Sequence, residues 1–132
     1  MPVPEGIIAV YVYGSILGGR LRVESDIDIA ILPSYGVDDP EKLRLIAEIE
    51  GIVTSALKKI GVNTEVSVLD LRARYVSLQL LYIVVTEGAL LYERGISERL
   101  EFENTVKRDF FDFEPYLMHL RKRKYGDILQ KA

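Results

Sequence analysis

Cysteine is absent from the 132 residues, and histidine occurs once, at His119. The first absence excludes disulfides, thiolate zinc sites and a cysteine nucleophile. The second excludes a histidine-rich metal centre. Any metal must be held mainly by carboxylates, which points to magnesium, calcium or manganese. Long apolar runs are also missing. The most apolar stretch, Val76 to Val85, is interrupted by Gln79 and closed by Thr86 and Glu87, too short to span a bilayer. The opening segment MPVPEG lacks the basic start of a secretion signal, so the expected location is the cytoplasm. No excess of positive charge exists: 17 Lys and Arg face 20 Asp and Glu, a net charge of −3. Such a chain does not wrap nucleic acid with its whole surface, and direct nucleic-acid binding is not expected. Hydrophobic residues at 48% and charged residues at 28% are an ordinary globular balance, enough for one domain without staples.

Element signals follow one another without a linker or repeat. Ile7 to Tyr13 is a continuous β-branched and aromatic run, as in a strand covered on both faces. Asp26 to Leu32 alternates, with Asp26, Asp28 and Ala30 on one face and Ile27, Ile29 and Ile31 on the other. Pro40 opens a helix capped by Asp38 or Asp39. Leu43, Ile46, Ala47, Ile49, Val53, Ala56, Leu57 and Ile60 recur at helical spacing, and Gly61 ends it. Val62 to Leu71 reads as a third strand, with Glu65, Ser67 and Leu69 on one face. Tyr75 to Glu87 reads as a short apolar helix and Ala89 to Tyr92 as a fourth strand. Ser97 caps a helix to about Phe111, and Pro115 starts a last helix. The expected arrangement is a single domain over 1–132, with a core at about 7–92 and C-terminal helices at about 96–130.

The segment from Gly14 to Asp28, GSILGGRLRVESDID, carries the chemistry. Asp26 and Asp28 project from one strand face with their oxygens roughly 5–7 Å apart. Two such anions repel unless a cation lies between them, and oxygen-only ligands suit Mg²⁺. Glycine at Gly14 permits close backbone approach to a phosphate, and Ser15 adds a hydroxyl. A phosphate cradle beside a carboxylate-held metal is what phosphoryl or nucleotidyl transfer requires. Arg20 and Arg22 lie in the intervening loop, where arginine contacts phosphate bidentately or stands exposed.

Gly14-Ser15, ten residues, then Asp26-Ile27-Asp28 resembles the signature of nucleotidyltransferases related to DNA polymerase β. The length is similar to that of the minimal nucleotidyltransferases, the MNT proteins. The stretch from Val66 to Tyr92, with its Glu87-Gly88-Ala89-Leu90-Leu91-Tyr92 ending, extends the likeness to about residues 7 to 125. The resemblance implies an α+β fold, a small mixed β-sheet flanked by helices. It implies that Gly14, Ser15 and Arg20 bind the nucleotide, that Asp26 and Asp28 ligate Mg²⁺, and that ATP is the substrate. It also implies an antitoxin in a hetero-oligomer with a HEPN-domain RNase toxin, transferring AMP to a tyrosine of that toxin. One position departs from the pattern: the third carboxylate falls on Ser67. Glu65, two residues earlier on the same face, is the candidate replacement and the third catalytic residue. Two other readings follow: an antitoxin that neutralises by binding alone, and a small-molecule nucleotidyltransferase, for which 132 residues leave little room.

The remaining features read first as structure. Arg121 to Lys124 form a cationic helix end that complements the dipole, with a contact to ATP phosphates, RNA or an acidic partner as the alternative. His119 is a surface or half-buried residue, not a base. Tyr75, Tyr82 and Tyr92 fit core edges. Phe102, Phe110, Phe111, Phe113 and Tyr116 are a packing cluster or a partner face.

Overall fold

The computed structural model describes residues 2–14 and 26–130, with 117 and 120–130 described by backbone alone. Within them lie β1 (Ile7–Tyr13), β2 (Ile27–Pro33), α1 (Asp39–Lys59), β3 (Val66–Asp70), α2 (Leu78–Glu87), β4 (Ala89–Glu93) and α3 (Ile96–Gln130). The strands form one sheet in the order β3-β2-β1-β4. β1 pairs antiparallel with both β2 and β4, and β2 pairs parallel with β3. The sheet is mixed because α1 carries the chain across between the parallel pair.

Both faces of the sheet are covered, which explains the unbroken apolar run of β1. On one face Val10, Val12, Ile27, Ile29 and Ile31 pack against Leu45, Ile49 and Val53 of α1. On the other, Ile8, Ala9, Tyr11, Ala30 and Leu32 pack against Val84 of α2, with Phe102 of α3 at the margin. The alternation of β2 is therefore observed as read, and Asp28 falls on the α2/α3 side with Ala30. Helix α1 starts where expected, with Asp38 accepting from the Glu41 N–H at 2.9 Å. Its buried stripe is Leu45, Ile49 and Val53. Leu43 and Ile60 are exposed instead, because Leu43 lies about 200° around the helix from Leu45 and Ile60 is the C-cap.

Three boundaries differ from expectation. β3 begins at Val66 rather than Val62, because its parallel ladder begins opposite Ile27, the first residue of β2. α2 begins at Leu78 behind Ser77, whose hydroxyl accepts from the Leu80 N–H at 3.2 Å. Tyr75 is left outside it and is exposed, not a core edge. The two C-terminal helices are one: α3 runs through Pro115, with Ser97 inside its first turn and not its cap. Proline at that point forfeits the N–H bond to Phe111 at a cost of about 3 kcal/mol, but its fixed φ is helical.

A buried ionic cluster ties α3 to the sheet. The Tyr11 hydroxyl donates to Glu103 at 2.8 Å, and Arg99 bridges Glu103 at 3.0 Å and Glu93 at 3.1 Å. Burial, then the carboxylate of Glu103, pushes the Tyr11 phenol well above its ordinary value. A raised folded-state value means that Tyr11 stabilises the fold fully below about pH 10. That contribution is lost as pH climbs toward the folded-state value. In an ultraviolet titration of the native protein, one of the eight tyrosines is expected to stay protonated until the chain unfolds. The melting temperature is expected to fall less steeply above pH 10 in Tyr11→Phe than in the wild type.

Candidate active site

The two halves of the sequence signature meet at one end of the sheet. β1 ends at Tyr13, which pairs opposite Asp28 of β2. Gly14 follows with φ +87°, a left-handed conformation in which a side chain is strained. A Cβ built on Gly14 would stand 2.5 Å from Oδ2 of Asp28. The chain therefore needs glycine there twice over, for its torsion and for its contact with the carboxylate. Asp26 lies two residues before Asp28 and is exposed.

The site is electrostatically unbalanced. Burial first, and the neighbouring Asp26 second, push the Asp28 carboxyl above the usual range. Burial and then Asp28 push the Tyr13 phenol up in turn. Two carboxylates on one strand face, one of them half-buried and repelled by the other, form an oxygen-only donor pair whose cost a hard divalent cation would relieve. The residues present thus fit Mg²⁺. Among the described residues no group of three His, Asp or Glu side chains converges to hold a metal.

Ser67 stands beside Asp28 in the parallel register, the place where a third carboxylate would complete the set. Glu65 lies one residue before β3 begins. Its side chain is exposed, and its carbonyl oxygen accepts from the Ile27 N–H at 2.9 Å. Ser15, Arg20 and Arg22 lie outside the described residues, as do the side chains of Arg121 to Lys124. His119 is exposed. Two residues near the site were not named as site residues from the sequence. Tyr13 could have been found from its place immediately before Gly14. Gly88, at the end of α2, lies against β1: a Cβ there would meet the Val84 carbonyl oxygen at 2.3 Å and the Val12 carbonyl oxygen at 3.3 Å.

Residues 4–97 match the family model "Polymerase beta, Nucleotidyltransferase". The chain belongs to this nucleotidyltransferase family. The match spans Gly14, Asp26, Asp28 and Glu65, so the strand-borne carboxylates and the glycine turn lie inside the shared domain. Solved structures of similar fold extend the likeness into α3. A chain of a toxin–antitoxin complex with AMP-PNP is 25% identical with a TM-score of 0.60, over 96% of this chain and 90% of that one. A chain of a Shewanella oneidensis complex of tri-AMPylated HEPN toxin with MNT antitoxin is 24% identical with a TM-score of 0.54, over 96% and 86%. A chain of the toxin–antitoxin pair MntA–HepT is 24% identical with a TM-score of 0.53, over 95% and 86%. A comparison with curated proteins gives no match. No helix among the described residues is long and apolar enough to cross a membrane.

Proposed function

We propose that this nucleotidyltransferase transfers AMP from ATP to a tyrosine hydroxyl of a HEPN-domain RNase toxin in the cytoplasm. It thereby acts as the toxin's antitoxin within a hetero-oligomer. The observation that carries the reading is the close approach of Gly14 to Asp28, which sets the turn proposed to bind phosphate beside the carboxylate proposed to bind the metal. The similar complexes with AMP-PNP and with AMPylated toxin support the substrate and the acceptor.

Asp26 and Asp28 would hold Mg²⁺, which when bound supplies positive charge against the triphosphate and aligns it for in-line attack. Gly14, Ser15 and Arg20 would hold the phosphates. In the transfer the tyrosine oxygen forms a bond to the α-phosphorus as the bond to pyrophosphate breaks. The tyrosine proton passes to a carboxylate base, for which Glu65 is the candidate. Ser67 favours a second reading, an antitoxin that neutralises by binding alone, because a hydroxyl beside Asp28 can neither bear the charge of a carboxylate nor take the proton.

Incubation of a co-expressed HEPN toxin with the chain, ATP and Mg²⁺, followed by intact-mass analysis, separates the two. A gain of AMP units, with trace chain modifying excess toxin, is the expected result. Tight binding with no mass gain would establish the second reading. Glu65→Gln is expected to slow transfer about 10² to 10⁴-fold, the usual worth of a positioned base, and Ser67→Asp in that background to recover part of it. A Glu65→Gln enzyme at wild-type rate would remove Glu65 from the site.

A further inference from the structure

The first half of α3 is occupied by its own domain. Arg99 and Glu103 hold β4 and β1, and Val106 is buried. Phe110 stacks on Tyr82 of α2 at 3.9 Å between ring centroids, and Phe111 meets the same ring edge-on at 6.0 Å. Beyond Phe111 the helix continues to Gln130, about 28 Å at 1.5 Å per residue. The described apolar side chains there face water: Phe113 is 39% exposed, Tyr116 57% and Met118 54%, with Phe111 at 59% at the junction. Phe113 and Tyr116 lean on each other, their centroids 5.6 Å apart. Helical stability comes mostly from packing an apolar face, and aromatic residues grouped in the open mark an interaction surface.

Charge narrows the partner. At about 100° per residue, Asp109, Asp112, Phe113 and Tyr116 share one face of the helix, while Phe111 and Met118 lie on the opposite one. Asp109 also meets Arg108 at 3.8 Å, and neither Lys nor Arg occurs from Asp109 to Leu120. The face of Phe113 and Tyr116 is apolar and anionic. A ribonuclease needs Lys and Arg on its surface to hold RNA, so a toxin of that kind is complementary to it. The similar toxin–antitoxin complexes match 95–96% of this chain, a share that takes in α3 beyond Phe111.

We infer that the face of α3 made by Asp109, Asp112, Phe113 and Tyr116 is the surface that docks the toxin, seating its two aromatic rings on a toxin face that pairs an apolar groove with Lys and Arg. The inference rests on the partner proposed above. It adds that docking is separate from the carboxylates of the sheet. The test is the affinity of the full-length chain for a co-expressed HEPN toxin, measured by calorimetry at low and high salt. Phe113→Ser with Tyr116→Ser is expected to weaken binding at least 100-fold. Asp109→Lys with Asp112→Lys, which leaves the apolar surface untouched, is expected to weaken it at least tenfold, with a smaller ratio at high salt. Helicity by circular dichroism should match the wild type in both. Wild-type affinity in both variants would overturn the inference while leaving the toxin as partner. Loss of a homodimer with toxin binding unchanged would assign the strip to a second copy and also overturn it. Failure of the wild type to bind toxin would overturn the functional reading with it. Binding without AMP transfer would leave the docking strip standing and remove only the transfer.

Discussion

Asp26→Asn together with Asp28→Asn is expected to lower AMP transfer at least about 1,000-fold and to leave the fold as stable as before, or slightly more so. The first half follows from the charge at the site. Neutralising the two carboxylates proposed to hold Mg²⁺ would remove several kcal/mol of charge stabilisation, and about 4 kcal/mol corresponds to three decades of rate. The second half follows from Asp28, whose carboxyl is raised by burial and by Asp26. A raised folded-state value means that the neutral form is the one the fold favours. The ionised form costs stability at neutral pH, and an isosteric amide removes that cost. A quantitative transfer assay and a thermal melt check the two halves. A rate within tenfold of wild type would show that the chemistry lies elsewhere. A large drop in melting temperature would show that Asp28 is a structural carboxylate. Toxin binding should survive, because the α3 strip carries neither residue.

The strands that lead into Gly14 and carry Asp28 were legible because their signals are local. Ile27, Ile29 and Ile31 alternate with Asp26, Asp28 and Ala30, and the period of a strand alone assigns the carboxylates to one face. The placement of Gly14 against Asp28 needs one more step, the antiparallel pairing of Tyr13 with Asp28, which no spacing states. The reach of Glu65 was less legible. Its parity with Ser67 holds only while the strand continues, and β3 stops one residue short of it because β2 offers no partner before Ile27. Tyr11 and Glu103 are joined across 92 positions. Nothing near either residue announces the bond, since a tyrosine in an apolar strand reads as packing alone. Pro115 misled for the opposite reason: its signal is strong, but it reports only a lost N–H and a clash. A helix carrying enough other bonds absorbs both. Leu43 and Leu45 show the limit of counting apolar positions, for only one of two leucines about 200° apart can face the sheet.

Gly88→Ala is expected to destabilise the fold by about 3 kcal/mol, the upper range for forcing atoms into a filled space, and to lower the melting temperature by about 10 °C. Torsion is not the cause, since Gly88 sits at φ −70° and ψ 152°, open to any residue. The obstacle is backbone. The new Cβ would lie 2.3 Å from the Val84 carbonyl oxygen, the same atom that accepts the Gly88 N–H at 2.9 Å. Either the bond that closes α2 breaks or the turn into β4 shifts, and β4 is the strand paired with β1 on that side. Two other glycines set the scale in chemical denaturation. Gly51 has open space around its Cβ position, and Gly51→Ala inside α1 should add about 0.5–1 kcal/mol. Gly14→Ala should cost about 1–2 kcal/mol for its left-handed torsion. It should cut transfer at least 100-fold, because the added methyl displaces the Asp28 carboxylate. The order of stability expected is therefore Gly51→Ala, wild type, Gly14→Ala, Gly88→Ala, while the order of activity separates Gly14→Ala from the rest per folded molecule. A Gly88→Ala protein that melts like the wild type but transfers no AMP would reverse that assignment. It would place Gly88 in the site rather than in the packing that supports it.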